Sequence, residues 1–268
     1  MKNQSIKISL VQSDLVWENT TKNLENFDKL LTEIDNETEI IILPEMFSTG
    51  FTMNVENLEK PLGKRAFDWL KDKAKKLDKI IVGSILFEQD EKYYNRMFWM
   101  RPDGSFETYD KRHLFSMANE HKIMTAGNKR TIVEYKGIKF LPQICYDLRF
   151  PVWSKNTYDK KNNTYEFDAI IYIANWPEKR KQAYTNLLKA RAIENQSYII
   201  WVNRIGKDNQ GIYHSGDTQI VDSFGNILKQ AEKGKNKVVN TEISIEKLKK
   251  HRINFKVGMD WDKFSINI

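Results

Sequence analysis

Three side chains that could carry out a chemical reaction each follow a strand-like stretch of the sequence. Glu45 follows the apolar run 40–43, Lys111 follows a shorter segment, and Cys145 ends an apolar run that begins at Ile138. In open α/β sheets, ligands collect beyond the carboxyl ends of the strands. A carboxylate, an ammonium group and a thiol that meet there provide a general base, a cation for a developing oxyanion and a nucleophile.

The position of Cys145 makes a nucleophile a candidate beside the commoner alternative of a structural cysteine. Many lone cysteines are inert buried residues, but this one ends an apolar strand and is followed at once by polar and charged residues. Backbone N–H dipoles at such a strand-to-helix elbow favour the thiolate. The apolar neighbours of Glu45 predict a partly desolvated carboxylate, which makes it a better base. For Glu45 and Lys111, the simpler alternative is a charge that turns into solvent.

The counts of cysteine and histidine argue against a disulfide scaffold and against a metal site. Cys145 is the only cysteine, so the chain forms no internal disulfide and has no Cys-rich zinc site. None of the four histidines forms a His-x-x-x-His pair; they are His113, His121, His214 and His251. We therefore expect no dedicated metal site and no metal or organic cofactor, although carboxylate sites remain open.

The positive charge of the chain indicates a solvated surface rather than a nucleic-acid site. The formal charge of +7 comes from 43 basic and 36 acidic residues. Nucleic-acid binders usually show a basic stripe or a recognisable module, whereas these lysines are scattered and many lie beside acids, as in Lys71-Asp72-Lys73. We predict no nucleic-acid partner and some attraction for anionic substrates.

The sequence gives no sign of a membrane span or of export. No stretch approaches the roughly 18–20 consecutive apolar residues that a spanning helix requires. Residues 1–5 lead straight into a strand-like segment, without an apolar signal core or a small-residue cleavage site. These features predict a cytoplasmic protein without a membrane partner.

The periodicity of apolar residues places the three side chains in an alternating order of strands and helices. Asn19 is predicted to cap a helix that has apolar residues at Leu24, Phe27 and Leu30. The run 40–43 is apolar throughout, which is typical of a strand buried on both faces. The first half of the chain predicts a second helix at 61–77 and strands at 6–12, 40–43, 80–87, 93–100 and 106–109.

The second half begins with a segment, 111–129, that has no clean period and predicts a long loop. Loops of that length in compact domains are often functional. The remaining predicted elements are a helix at 182–195, a turn at 223–226 and strands at 131–135, 138–144, 167–174, 198–202, 218–222 and 238–243. Helices alternate with buried strands and no linker or repeat interrupts them, so we predict one α/β domain over 1–268.

Taken together, these segments resemble the nitrilase superfamily of carbon–nitrogen hydrolases. Enzymes of that superfamily carry Glu, Lys and Cys in this chain order, each at a strand end. The matching flanks are Leu-Pro-Glu-Met-Phe around Glu45, Asp-Lys-Arg-His-Leu-Phe around Lys111 and Cys-Tyr-Asp-Leu-Arg-Phe-Pro from Cys145. The resemblance extends from residue 6 to about residue 243. It is closest to the ω-amidase (2-oxoglutaramate amidase) branch through the segments 115–121, 174–177 and 190–196.

The resemblance implies a four-layer α-β-β-α sandwich of the nitrilase type. It also implies that copies pair through a helical face into a homodimer or a larger homo-oligomer. The C-terminal extension, 244–268, would be available for such dimer contacts. Periodicity alone gives only a compatible order of strands and helices.

The resemblance also implies how the reaction would proceed. Glu45 would take the thiol proton of Cys145, and the thiolate would attack an amide carbon. Lys111 and the backbone N–H of Tyr146 would then stabilise the oxyanion. Glu120 matches a second glutamate that many members place beside the lysine, where it would hold Lys111 or position the substrate. The alternative for Glu120 is an acid on a surface loop.

The ω-amidase resemblance implies a small anionic amide as substrate, so a cation is expected near the pocket. The candidates are Arg149, Lys179 and Arg180. Arg149 could bind a substrate carboxylate bidentately, or it could pair with Asp147 or another acid and brace the elbow, which is the interpretation the sequence favours. Trp176 and Met117 are predicted to line the pocket, with burial in the core as the alternative.

Several related functions would use the same three residues. Carbamoyl-amine hydrolases, nitrilases proper, aliphatic amidases and hydrolases of deaminated glutathione belong to other branches of the same superfamily. A different class is a non-enzymatic interaction protein that keeps the fold and uses its basic surface. All three catalytic residue types are present, which favours an enzyme.

Overall fold

The structure is a computed structural model, and it describes residues 5–267. Its strands, in chain order, are β1 (Ser5–Gln12), β2 (Ile40–Ile42), β3 (Ile80–Gln89), β4 (Lys92–Met100), β5 (Phe106–Asp110), β6 (Val133–Tyr135), β7 (Ile138–Ile144), β8 (Tyr158–Asp159), β9 (Thr164–Tyr165), β10 (Ala169–Ala174), β11 (Tyr198–Asn203), β12 (Ile205–Lys207), β13 (Tyr213–Ser215), β14 (Gln219–Val221), β15 (Ile227–Gln230) and β16 (Lys237–Ser244). Its α-helices are α1 (Thr20–Leu30), α2 (Lys64–Leu77), α3 (Glu120–Ile123), α4 (Lys181–Asn195) and α5 (Ile245–Asn254).

Two six-stranded sheets within residues 5–267 share one arrangement of strand directions. The first has the order β16-β1-β2-β3-β4-β5, and the second has the order β6-β7-β10-β11-β14-β15. In each sheet three neighbouring strands run parallel, with one antiparallel strand on one side and two successive antiparallel strands on the other. The carboxyl ends of the parallel strands therefore lie at a single edge of each sheet.

Three apolar layers hold the sheets and helices together. The strand residues alternate between the layers because successive side chains point to opposite faces of a sheet. Ile42 and Ile171 pack in the layer between the two sheets, Ile41 packs with residues of α1 and α2, and Ile170 packs with residues of α4. The predicted α-β-β-α sandwich is confirmed.

The residue before each helix sets the start of the two helices that cover the first sheet. The side chain of Asn19 accepts a hydrogen bond from the Lys22 N–H at 3.0 Å, which confirms the predicted cap of α1. Helix α2 begins at Lys64, because Gly63 before it has φ +80° and a side chain there would meet the Leu86 carbonyl oxygen at 2.7 Å. No helix in the described part of the chain is long and apolar enough to cross a membrane.

The sequence analysis missed elements that carry little apolar periodicity. The segment 111–129 is not all loop, because it contains a 3₁₀ turn (Ser116–Ala118) and α3. All four residues of β15 are exposed, so no burial pattern marked that strand after the turn at 223–226. The short strands β8, β9, β12 and β13 were also missed, as was α5 in the C-terminal extension.

Candidate active site

Four strand ends, two from each sheet, open into one cavity of about 400 Å³. Glu45 follows β2 and Lys111 follows β5 in the first sheet. Cys145 follows β7 and Asn175 follows β10 in the second sheet. The fold therefore brings together the three side chains that the sequence analysis singled out, at the edge where ligands collect in sheets of this kind.

Cys145 occupies a strained turn directly after β7. Its φ is +45°, in the left-handed region that residues with a side chain rarely adopt, and it begins a 3₁₀ turn (Cys145–Arg149). Such a conformation costs on the order of 1–3 kcal/mol and persists only where the surroundings enforce it. The first N–H groups of a turn of this kind have no acceptor within it. The N–H of Tyr146, the second residue of this turn, is thus available as a donor beside the thiol.

The buried carboxylate of Asp147 fixes that turn to the segment that carries Lys111. It accepts hydrogen bonds from the Ile144 N–H (3.0 Å), the Tyr109 hydroxyl (2.7 Å) and the His113 N–H and Nδ1 (3.0 and 2.7 Å). Burial and the neighbouring Asp147 carboxylate raise the pKa of Tyr109 well above its usual value, so its hydroxyl stays a donor. Asp147 therefore joins the end of β7 to β5 and to the residues after it.

Arg149 does not have the partner that the sequence favoured. The oxygens of Asp147 accept from Ile144, Tyr109 and His113, and the ion pairs of residues 5–267 include none between Arg149 and Asp147 or another acid. The guanidinium of Arg149 instead lies 5.0 Å from the centre of the Trp176 ring, and both side chains line the cavity.

Glu45 is fully buried, and each oxygen of its carboxylate has a donor. Oε1 accepts from the Lys111 ammonium at 2.9 Å and from the Asn95 side-chain amide at 2.8 Å. Oε2 accepts from the backbone N–H of Asn175 at 2.8 Å. The carboxylate is thus held in one orientation, with its position set by both sheets.

Lys111 lies between two buried carboxylates. Its Nζ is 2.9 Å from Glu45 Oε1 and 3.0 Å from both oxygens of Glu120. Burial by itself lowers the pKa of Lys111, but Glu120 and Glu45 outweigh it, so the net pKa is raised and the group stays an ammonium ion. Burial raises the pKa of Glu120 while Lys111 opposes that rise. Glu120 is therefore a buried partner of Lys111 and not a surface acid.

The thiol of Cys145 is protonated in the resting site. Burial raises its pKa well above the usual 9.0, and the adjacent Glu45 carboxylate raises it further. Lys111 and the Asn175 N–H lower the pKa of the thiol but do not outweigh these effects. A backbone N–H group thus favours the thiolate, as expected, but burial and the negative charge of Glu45 favour the protonated thiol more strongly.

The other predicted side chains mostly line the cavity. Tyr146 and the buried Trp176 are among the lining residues, and so is Met117, which is 78% exposed. Glu120 is not among the lining residues, since it lies behind Lys111. Arg149, Lys179 and Arg180, the candidate cations, all line the same cavity.

Sequence reasoning missed two asparagines that position Glu45. Asn95 lies inside β4 and is fully buried, and a buried polar side chain needs a hydrogen-bonding partner. Asn175 directly follows the apolar strand β10, as Glu45 follows β2. The same search for polar residues at strand ends would have found Asn175, whereas only its burial distinguishes Asn95.

The arrangement can carry out nucleophilic substitution at a carbonyl carbon. It combines a thiol, a fixed carboxylate, an ammonium group and a backbone N–H beside one cavity. Within residues 5–267, no group of three His, Cys, Asp or Glu side chains is placed to hold a metal ion.

Comparison with known proteins identifies the family that has this arrangement. The profile of the carbon-nitrogen hydrolase family matches residues 7–252. The chain belongs to the carbon-nitrogen hydrolase family. This hydrolase is accordingly an enzyme that cleaves amide carbon–nitrogen bonds, and the resemblance stated from its motifs is confirmed.

Individual relatives match the hydrolase over nearly its whole length. It is 42% identical to omega-amidase YafV of Yersinia enterocolitica, over 97% of this chain and 98% of that protein. It is 31% identical to 2-oxoglutaramate amidase of Bacillus subtilis, over 89% and 91% of the two chains. The solved structure of XC1258 from Xanthomonas campestris, a CN-hydrolase superfamily protein with an arsenic adduct in its active site, superposes with a TM-score of 0.93. That match is 36% identical and covers 98% of this chain and 100% of that one.

Proposed function

We propose that this carbon-nitrogen hydrolase is an ω-amidase. It hydrolyses the terminal amide of a small 2-oxo acid, 2-oxoglutaramate or 2-oxosuccinamate, through a thioester on Cys145, and releases ammonia. The observation that carries the thioester chemistry is the convergence of Glu45, Lys111 and Cys145 on one cavity. The names of the relatives from Yersinia enterocolitica and Bacillus subtilis support the choice of substrate.

The first step forms the bond between sulfur and the amide carbon. Glu45 accepts the thiol proton as the sulfur of Cys145 attacks, and the carbonyl electrons move onto oxygen. Lys111 and the Tyr146 N–H stabilise that oxyanion, and removal of one such donor typically costs ~10²–10³ in rate. The hydrogen bonds from Asn95 and Asn175 hold the carboxyl group of Glu45 in position while it gains and loses a proton.

The second step breaks the carbon–nitrogen bond. The oxyanion collapses, the amide nitrogen takes the proton from Glu45, and ammonia leaves the acyl group on Cys145 as a thioester. Glu45 is again a carboxylate, held by the same donors as before. Lys111 keeps its charge throughout, because Glu120 contacts its ammonium group and raises its pKa even while Glu45 holds the proton.

The third step hydrolyses the thioester. A water molecule gives a proton to Glu45 and its oxygen adds to the carbonyl carbon. The carbon–sulfur bond then breaks and the proton returns to Cys145. The sum of the steps is an amide and water giving a carboxylic acid and ammonia, with every group of the enzyme restored.

We also propose that the enzyme works in the cytoplasm. The nucleophile is a single thiol that lines an open cavity. A thiol with this role must stay reduced, and reducing compartments preserve it. The proposed substrate is a small anion, and neither a nucleic acid nor a membrane is needed as a partner.

We propose that residues 1–268 act as one catalytic domain that pairs into a homodimer. Four side chains around α4 and α5 are apolar and more than half exposed: Ile193, Phe224, Ile253 and Phe255. Apolar patches of this kind often mark interfaces, and α5 lies in the C-terminal extension, 244–268. Residues 1–4 and 268 of that domain lie outside the described part. Sedimentation should give a dimer for the wild type and a monomer for Phe224→Asp.

The function is tested by ammonia release from 2-oxoglutaramate. Wild-type enzyme should release ammonia, and Cys145→Ala should release none while keeping the wild-type unfolding transition. Release that survives the substitution would contradict the nucleophile. A wild type that ignores 2-oxoglutaramate but cleaves a carbamoyl amine, a nitrile, an aliphatic amide or deaminated glutathione would place it in another branch.

A further inference from the structure

The carboxylate of a 2-oxo acid amide needs a cation that is not already neutralised. Lys111 does not qualify, because Glu45 and Glu120 both contact its ammonium group. Arg204 also lines the cavity, but its Nη2 lies 2.9 Å from Asp14 Oδ1 and its Nη1 is enclosed by protein. These two cations are therefore part of the cavity wall and not receptors for a second anion.

Two other arginines line the cavity, and neither forms an ion pair within residues 5–267. The guanidinium of Arg149 lies 5.0 Å from the centre of the Trp176 ring, and that of Arg180 lies 5.1 Å from the centre of the Phe115 ring. An arginine stacked on an aromatic ring keeps its N–H groups in the plane of the guanidinium, where they can bind a carboxylate bidentately. Each ring thus holds a cation in place without neutralising it.

We infer that Arg149 and Arg180 form the subsite that binds the carboxylate of the substrate; this inference rests on the proposed ω-amidase function. Arg149 is four residues from Cys145 in the same 3₁₀ turn, and both residues line the cavity. A short acid whose amide lies at the sulfur can therefore extend its carboxylate towards the arginines.

The location of Arg180 connects this subsite to the reacting end of the cavity. The Phe115 ring beneath Arg180 also packs edge-on against the Tyr146 ring, with centres 5.1 Å apart. Tyr146 supplies the N–H that we assign to the oxyanion. A carboxylate bound at Arg180 therefore fixes the distance from the charged end of the substrate to the amide that reacts.

Lys179 is the matched comparison for Arg180. Both belong to the 3₁₀ turn Glu178–Arg180 and both line the cavity, but Lys179 is exposed and Arg180 is partly buried. A lysine ammonium is a strongly hydrated point charge that cannot bind a carboxylate bidentately. We assign Lys179 no contact with the substrate, so its replacement removes one nearby positive charge and no more.

The experiment compares two amides of equal length that differ only in the terminal carboxylate, glutaramate and pentanamide. The ratio of kcat/KM for glutaramate to that for pentanamide should fall about 10- to 100-fold in Arg149→Met and in Arg180→Met, mainly through KM. It should fall further in the double variant and stay at the wild-type value in Lys179→Met. The same preparations are assayed with 2-oxoglutaramate.

Each outcome separates this inference from the function on which it rests. Wild-type turnover of 2-oxoglutaramate, together with a ratio that stays constant in both arginine variants, would overturn the subsite alone. Equal losses on both amides would also overturn it, since they indicate a structural role. If the wild type cleaves pentanamide as well as glutaramate and ignores 2-oxoglutaramate, the proposed function and the subsite both fail.

Discussion

Asn175 and Glu45 hold each other through two hydrogen bonds that link the two sheets. The Asn175 N–H donates to Glu45 Oε2 at 2.8 Å, and its side-chain amide donates to the Glu45 backbone oxygen at 2.6 Å. Glu45 follows a strand of the first sheet and Asn175 follows a strand of the second. The position of the general base therefore depends on the packing of the two sheets against each other.

Replacing Asn175 by Ala should reduce both activity and stability. The change removes the side-chain donor to the Glu45 backbone and keeps the N–H donor to Oε2, so Glu45 stays in the site with its strand end less constrained. We expect kcat to fall about 10- to 100-fold and the free energy of unfolding to fall by about 1–3 kcal/mol. Steady-state kinetics and urea unfolding measure the two effects. Asn57→Ala, at an exposed position, is the control. A wild-type kcat in Asn175→Ala would contradict a role for the Asn175 side chain in positioning Glu45.

Replacing Glu120 by Gln should change the pH dependence of kcat. Glu120 raises the pKa of Lys111, so removal of its negative charge lowers that pKa and the ammonium loses its proton at a lower pH. The alkaline limb of the pH profile should therefore move to lower pH, with kcat reduced at its maximum. A pH profile and a kcat that both stay at their wild-type values would contradict the role of Glu120 beside Lys111.

The pH dependence of the alkylation rate of Cys145 should reflect the charged groups beside the thiol. Burial and Glu45 raise the pKa of the thiol and Lys111 lowers it, so iodoacetamide should react slowly at neutral pH and faster as the pH passes above 9.0. Glu45→Gln should move this inflection to lower pH, and Lys111→Met should move it to higher pH. The chain has no other cysteine, so the label measured by mass spectrometry belongs to Cys145. Rapid alkylation at neutral pH that neither variant alters would contradict this account.

His214 should make the protein less stable in mild acid. Burial, assisted by Arg204, lowers its pKa from 6.5 to about 4, so the folded state resists a proton that the unfolded chain accepts. The contribution is fully present above pH 6.5 and is lost as the pH falls towards 4, by up to about 3 kcal/mol. Urea unfolding at the two ends of this range should show a smaller loss in His214→Gln than in the wild type. The exposed His121→Gln should behave like the wild type, and equal losses in all three proteins would contradict the assignment.

Much of this site was predictable because its reactive groups follow buried strands. The apolar runs before Glu45 and Cys145 placed both at strand ends, and the resemblance supplied their grouping with Lys111. Asn95 and the hydrogen bonds of Asp147 were not predictable, since they depend on which strands become neighbours in space. The strand β15 escaped notice because its exposed residues have no pattern of burial.

The shared arrangement of strands in the two sheets has a consequence for synthesis of the chain. The base Glu45 and the cation Lys111 follow strands of the first sheet. The nucleophile Cys145 and Asn175 follow strands of the second sheet, whose first strand along the chain is β6. A nascent chain emerges from its N-terminus, so it presents the base and the cation before any thiol exists. The edge strand β16, which completes the first sheet against β1, arrives last. We therefore expect a nascent chain to gain amide-cleaving activity only after β16 has been synthesised.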